Sequence, residues 1–218
     1  MPAVVATVVA IALYTLLPSR LIVGPRFVVP AVEVLLLGPL VLVNPWRYNR
    51  ETRWSRGVAL ALIAIIALAN LIALGITVHA LVAQTSVAKK GSQLLLAALQ
   101  IWLTDVLVFA LAFSELDRGG PVARRQRART ELPRADFRFS QDEDHDAVLE
   151  VARGSSSGSD WVPSFGDYLY VSLTNSSAFS PTDTMPLSLR AKAFMGIEAT
   201  AALLTSLLII AAGVGQLG

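Results

Sequence analysis

The sequence has no cysteine. Disulfides, thiolate chemistry and cysteine-ligated metals are therefore excluded. Only two histidines occur, His79 and His145, too few for a histidine-rich metal site. Charge is scarce: 16% of residues are Asp, Glu, Lys or Arg. A soluble domain would carry roughly a quarter. There is no Walker-type phosphate loop and no His-Glu-x-x-His. The chain is therefore not read as an enzyme, and neither a cofactor nor a bound metal is expected.

What the chain does have is apolar surface. Hydrophobic residues make up 54% of it, and the mean hydropathy is +0.59. They cluster in long blocks, which excludes a single soluble domain and a disordered chain. The composition calls for a multi-pass α-helical membrane protein, with the lipid bilayer as its first partner. The net charge of +2 is no argument for nucleic acid, because 8 of the 18 basic residues lie between Arg118 and Arg153. Richness in Ala, Val, Leu and Arg, with only three lysines, fits a GC-rich bacterial genome and a bacterial plasma membrane.

A span needs about 20 apolar residues, with a range of roughly 17–25. Five segments come near this: Pro2–Leu17, Phe27–Asn44, Gly57–Val82, Gln93–Phe113 and Leu187–Gln216. The first follows Met1 with no basic leader, so it is read as a retained span and not a cleaved signal. The expected organisation has three parts. Residues 1–116 form a four-helix transmembrane region. Residues 117–160 form a charged soluble insertion, with Gly119-Gly120-Pro121, an arginine run, an acidic run over Gln141–Asp146 and a Ser/Gly linker over Gly154–Asp160. Residues 161–218 hold a short helix, a Ser-Pro-Thr-Asp turn and the last span. Val148–Ala152 is a candidate short strand.

Orientation follows from Lys and Arg beside the spans. The second loop carries Arg47, Arg50, Arg53 and Arg56, and the insertion opens with Arg118, Arg124, Arg125, Arg127 and Arg129. The first loop has only Arg20 and Arg26, the third only Lys89 and Lys90. Both richer loops are placed in the cytoplasm. The N-terminus is then inside and the C-terminus outside. Trp46, Tyr48 and Trp54 flank the second loop as interfacial anchors.

A charge inside the bilayer costs about 2.5–3.5 kcal/mol on insertion scales, so each one asks for a reason. Asp105 sits near the middle of the fourth span, Glu33 in the second, His79 in the third and Glu198 in the first half of the fifth. By depth, Asp105 pairs with Asn70, and Glu33 with His79. These residues read either as a proton or small-cation path or as polar glue between helices. His79 reads as a packing histidine. The acidic run lacks the Gly-containing pattern of a Ca²⁺ loop and reads as a solvated face.

The segment before the last span is the most distinctive. Gly166–Phe179 is long enough for about 21 Å of helix, short of a core about 30 Å thick. A helical plot puts Tyr168, Ser172, Asn175, Ser176 and Phe179 on one side. This predicts a re-entrant or interfacial helix. Ser180-Pro181-Thr182-Asp183 follows, with Ser, Pro and Asp placed as in a helix start.

This stretch resembles the pore region of potassium-channel-type proteins, which runs roughly W-S-V-E-T-A-T-T-V-G-Y-G-D-x-x-P. Aligned without gaps, Ser172 meets the motif's serine, Asp183 the aspartate after the filter and Pro186 the later proline. The likeness covers about 30 residues in detail. It implies that the fourth and fifth spans are outer and inner helices, and that a homo-oligomer, a tetramer, encloses a cation pathway. In the filter position, Ala178–Thr182 contains no glycine, whereas the family's filter uses glycines to aim carbonyls at the ion. The arginine bias also places this loop inside, where the family's pore loop enters from outside. The whole chain is similar to a bacterial multi-pass membrane family through Glu115–Pro121 and Ala178–Asp183.

The sequence therefore predicts an all-α membrane protein with five transmembrane helices and one short re-entrant or interfacial helix. Its expected function is channel-like or transport. Asp105, Glu198, Glu33, His79, Ser172, Asn175, Ser176, Ser180, Thr182 and Asp183 are the pathway candidates. A non-transporting scaffold, whose charged loop binds a partner, is the other reading.

Overall fold

A computed structural model describes residues 2–16, 53–83, 91–143, 153–155, 159–178 and 183–214. The second predicted span, with Glu33, lies outside them, as do Ser180, Thr182, the candidate strand at Val148–Ala152 and the predicted anchors Trp46 and Tyr48. The described chain is mostly helical. In order come α1 (Pro2–Leu16), α2 (Arg53–Val82), α3 (Gly91–Leu116), the short α4 (Pro121–Gln126), β1 (Phe137–Arg138), α5 (Phe165–Ala178), β2 (Met185–Pro186) and α6 (Leu189–Val214).

Three of these helices are long and apolar enough to cross a membrane: Arg56–Val82, Ser92–Gly119 and Leu189–Val214. They coincide with the third, fourth and fifth apolar segments of the sequence. Of the α3 span 61% is buried, against 28% for α2 and 33% for α6, so α3 is the central helix. Small residues let its neighbours approach closely. Ala97, Ala98 and Ile101 of α3 meet Ala73 and Leu74 of α2 and Ala201 and Leu208 of α6. Nearer the other end of α3, Val108, Leu111 and Ala112 meet Ala6 and Ala10 of α1 and Leu62, Ile63 and Ile66 of α2. The outward faces of α2 and α6 expose Leu68, Ile72, Leu203, Leu207 and Ile210. That is the surface a helix presents to acyl chains.

The end of α3 shows how the arginine-rich loops are used. The last carbonyls of a helix have no partner within it. Here arginines supply the donors. Arg124 donates to the carbonyls of Ser114 (2.7 Å) and Asp117 (2.8 Å), Arg56 to Glu115 (3.1 Å) and Arg190 to Leu116 (3.2 Å). Positive charge at a helix C-terminus also opposes the helix dipole.

The chain then reverses. Arg118, Gly119 and Gly120 take φ of 50°, 82° and 95°. Gly119 is required twice over: its φ is left-handed, and a Cβ there would lie 3.0 Å from Pro133 Cγ. The insertion folds back as an aromatic layer under α3. Phe113 and Phe137 meet tilted at 5.1 Å between centroids, and Phe139 meets Tyr168 at 5.5 Å and Trp161 at 5.6 Å edge to face. After α5 the chain returns to this layer, where Phe137 pairs with Pro186 and Arg138 with Met185 in a short antiparallel ladder. Ser188 starts α6, its Oγ accepting from the Ala191 N–H at 3.1 Å. This places the start of α6 at Ser188; the Ser180–Thr182 part of the predicted helix-start signature lies outside the described residues.

Candidate functional site

Four neighbouring helices bring polar side chains into one buried layer. On α3, Asp105 is 1% exposed, and on α2 Asn70 is fully buried. Asn70 Nδ2 donates to Asp105 Oδ1 at 2.8 Å and to the Ile101 carbonyl at 2.9 Å. This is the pair expected from depth. A carbonyl only accepts, so Ile101 fixes which end of the amide faces Asp105. Among the described residues, two acceptors have no donor, Asn70 Oδ1 and Asp105 Oδ2.

On α6, Glu198 is fully buried, and α5 supplies all its partners. Ser172 bonds its Oε1, Ser176 Oγ donates to Oε1 at 3.1 Å, and Asn175 Nδ2 donates to Oε2 at 2.6 Å. Asn175 Nδ2 also donates to the Met195 carbonyl at 3.0 Å, which fixes that amide as Ile101 fixes Asn70. Ser172 Oγ reaches the Val106 carbonyl at 2.8 Å, one residue from Asp105. Ser172 thus stands between Glu198 and the backbone beside Asp105. Among the described residues, none of the ion pairs involves Asp105 or Glu198.

The predicted polar face of α5 is therefore real, and Tyr168, Ser172, Asn175 and Ser176 are all buried. The structure joins Ser172, Asn175 and Ser176 to Glu198. His79 is not part of the layer: it lies on an exposed face near the end of α2, which corrects its reading as a packing histidine. Asp183 is also exposed and accepts from the Tyr170 hydroxyl at 3.0 Å. An apolar groove of about 660 Å³ separates α2 from α6. Its lining of Leu71, Gly75, Val78, Gly196 and Thr200 carries no charge.

A second buried cluster, at the C-terminal end of α3, is one the sequence does not announce. Asp117 is fully buried. Its Oδ2 accepts from Arg118 and from the Tyr168 hydroxyl, both at 2.6 Å. Its Oδ1 accepts from the backbone N–H of Asp136 (2.7 Å) and Phe137 (3.2 Å). Arg118 continues to Asp142 at 2.5 Å, and Arg124 lies 4.8 Å from the Tyr168 ring centroid. Burial, opposed by Arg124 and assisted by Asp117, pushes the Tyr168 hydroxyl well above its usual pKa, so it remains a donor. Asp136 accepts from Ser188 and from both ends of the Arg190 fork, at 2.7 and 2.5 Å. Asp142 thus departs from the solvated reading of the acidic run. The sequence signal was the Asp-Arg-Gly-Gly-Pro string, whose turn folds the insertion back onto the end of α3.

The Ser/Gly linker spells Gly-x-Ser-x-Gly at Gly154–Gly158. Its nucleophile position, Ser156, lies outside the described residues, and none of the described strands leads into it. No family model, curated protein or solved structure matches this chain.

Proposed function

We propose that this is a transport protein of the inner membrane surface and core, in which the Asn70–Asp105–Ser172–Glu198 layer handles a proton or small cation. One observation carries the reading. Two carboxyls lie buried in apolar helices, joined by neutral hydrogen-bond donors and by no ion pair. Intramembrane acids of this kind most often belong to ion pathways. Polar glue would satisfy its acceptors, whereas Asp105 Oδ2 and Asn70 Oδ1 have no donor.

The position of α5 supports a re-entrant helix. It starts beside Asp117 through Tyr168, reaches the level of Asp105 through Ser172, and the chain is back beside Phe137 at Pro186. Its 14 residues span about 21 Å. On the arginine bias it enters from the cytoplasm, inverted relative to a potassium pore loop. Five spans, an inside N-terminus, a cytoplasmic 117–160 insertion and an outside C-terminus complete the arrangement. A homo-oligomer, tetrameric if the pathway is shared between subunits, belongs to the channel version.

The test is flux. Full-length protein in liposomes should pass protons or a monovalent cation down a gradient, and Asp105→Asn or Glu198→Gln should reduce it. If none of H⁺, Na⁺ and K⁺ crosses, the transport reading fails. The scaffold reading would then gain, because Arg118, Asp117 and Asp142 lock the insertion into a defined surface.

A further inference from the structure

We infer that Glu198 is a one-proton binding site that prefers H⁺ to metal cations, and that Ser172 is its positioning residue. The inference deepens the transport reading and rests on it for the purpose of the site, though not for its chemistry.

A serine hydroxyl has one proton to donate. Ser172 Oγ contacts two oxygens, the Val106 carbonyl and Glu198 Oε1. The carbonyl can only accept. With the hydroxyl proton directed at Val106, the bond to Glu198 requires a proton on the carboxyl. In that state Glu198 donates to Ser172, accepts from Ser176 at Oε1 and accepts from Asn175 at Oε2. Every polar atom of the carboxyl is then used. When the proton leaves, Ser172 turns its hydroxyl to Oε1, and the carboxylate has three donors. Val106 gives up only this side-chain bond. Two fully bonded arrangements thus differ by one proton and one hydroxyl rotation. Uptake forms the O–H bond at Oε1 from hydronium and leaves water. Release returns the proton to water.

A hard cation needs several oxygen lone pairs aimed at it. The groups around Glu198 present hydrogens instead. Asn175 cannot turn its oxygen inward without losing the Met195 carbonyl, which only an N–H can reach. The serine hydroxyls can rotate to offer lone pairs, but Asn175 is held hydrogen-first, so a sodium or potassium ion would have to displace it and break its Met195 bond, while a proton displaces nothing.

The groups facing Glu198 are few. From α5 come Ser172, Asn175 and Ser176, all neutral. From α3 comes the Val106 carbonyl, next in the chain to Asp105, which accepts from Asn70 of α2. Among the described residues, Asp105 is the other titratable side chain of this buried layer.

The test combines two readouts on full-length protein in lipid vesicles. Infrared difference spectra between acidic and neutral pH should show a protonated-carboxyl carbonyl band. Glu198→Gln should abolish it. Ser172→Ala, with helical circular dichroism unchanged, should keep the band and shift its frequency. Proton flux should fall about 100-fold in Glu198→Gln, the lower range for a positioned proton-transfer group. A band untouched by Glu198→Gln overturns the assignment. So does Na⁺ or K⁺ flux that needs Glu198 while protons do not move, although transport itself would then stand. A titrating Glu198 band in a protein that passes no ion supports the site and defeats the transport reading instead.

Discussion

Asp117 and Glu198 are both fully buried carboxyls, yet their surroundings are opposite. Asp117 has a guanidinium, a phenol and two backbone amides on its oxygens. Glu198 has two serines and an asparagine. Removing a carboxyl bonded to a buried guanidinium costs that cation a partner. A buried carboxyl with only neutral partners can change protonation without stranding anything. The first arrangement suits a structural lock, the second an exchanging site.

The largest expected effect tests the lock. Asp117→Asn leaves Arg118 buried beside a neutral amide and weakens the bond from Tyr168. It should cost about 3 kcal/mol, the low end of the range for breaking a buried pair, because Arg118 keeps Asp142. Glu198→Gln should stay within about 1 kcal/mol, because the amide can donate to Ser172 and accept from Asn175. Denaturant titration in mild detergent measures both. Equal losses would break the comparison.

Gly119→Ala comes next. It forces a left-handed φ of 82° on a residue whose Cβ would press on Pro133. Strain of this kind costs about 1–3 kcal/mol. Thermal unfolding should show the loss, with the carboxyl infrared band unaffected. A shifted band would mean that the lock and the polar layer are coupled.

These two regions also differ in how well the sequence exposed them. Three of the five expected spans were legible because runs such as Gly57–Val82 are apolar nearly all round over a length that can cross a bilayer. Asp105 and Asn70 were paired by depth alone, since a polar atom in hydrocarbon needs a partner at its own level. The polar face of α5 followed from helical periodicity. Its partner Glu198 did not, because depth does not say which helices touch. The lock was hidden for another reason. Arg56, Arg118, Arg124 and Arg190 look like ordinary flanking charges, and their positions count toward topology whatever they bind. Only the fold shows that three of them cap the end of α3 and that Arg118 joins Asp117 to Asp142.

A smaller effect is pH-dependent. Burial raises the Asp136 carboxyl, but hydrogen bonds from Arg190 and Ser188 and the Arg190 charge outweigh this and bring it below the usual carboxylate range. The folded pKa is the lower one. Asp136 therefore stabilises the fold above its unfolded value, about 3.9, and the contribution is lost as pH falls through the folded value. Arg190→Gln should flatten the stability profile in this acid window and leave its shape near neutrality unchanged. An unaltered acid limb would remove Asp136 from the lock.

The smallest expected effect on stability is at Asp105, and it sharpens the comparison most. Asp105 stands between the two cases: one oxygen accepts from Asn70, the other has no donor. Asp105→Asn keeps an oxygen for the Asn70 amide. It also brings an NH₂ into a region where Asn70 Oδ1 lacks a donor. Stability should change by less than about 1 kcal/mol, or rise. Asp105→Leu removes the acceptor and leaves Asn70 Nδ2 with the Ile101 carbonyl alone, so it should cost about 1–3 kcal/mol. If Asp105 were part of a lock like Asp117, Asn and Leu would both be severe. Flux separates the remaining alternatives. An Asp105→Asn protein that is as stable as the native chain but passes fewer protons keeps its carboxyl for ion movement. One that is as stable and equally active leaves Glu198 as the only exchanging acid in the described layer.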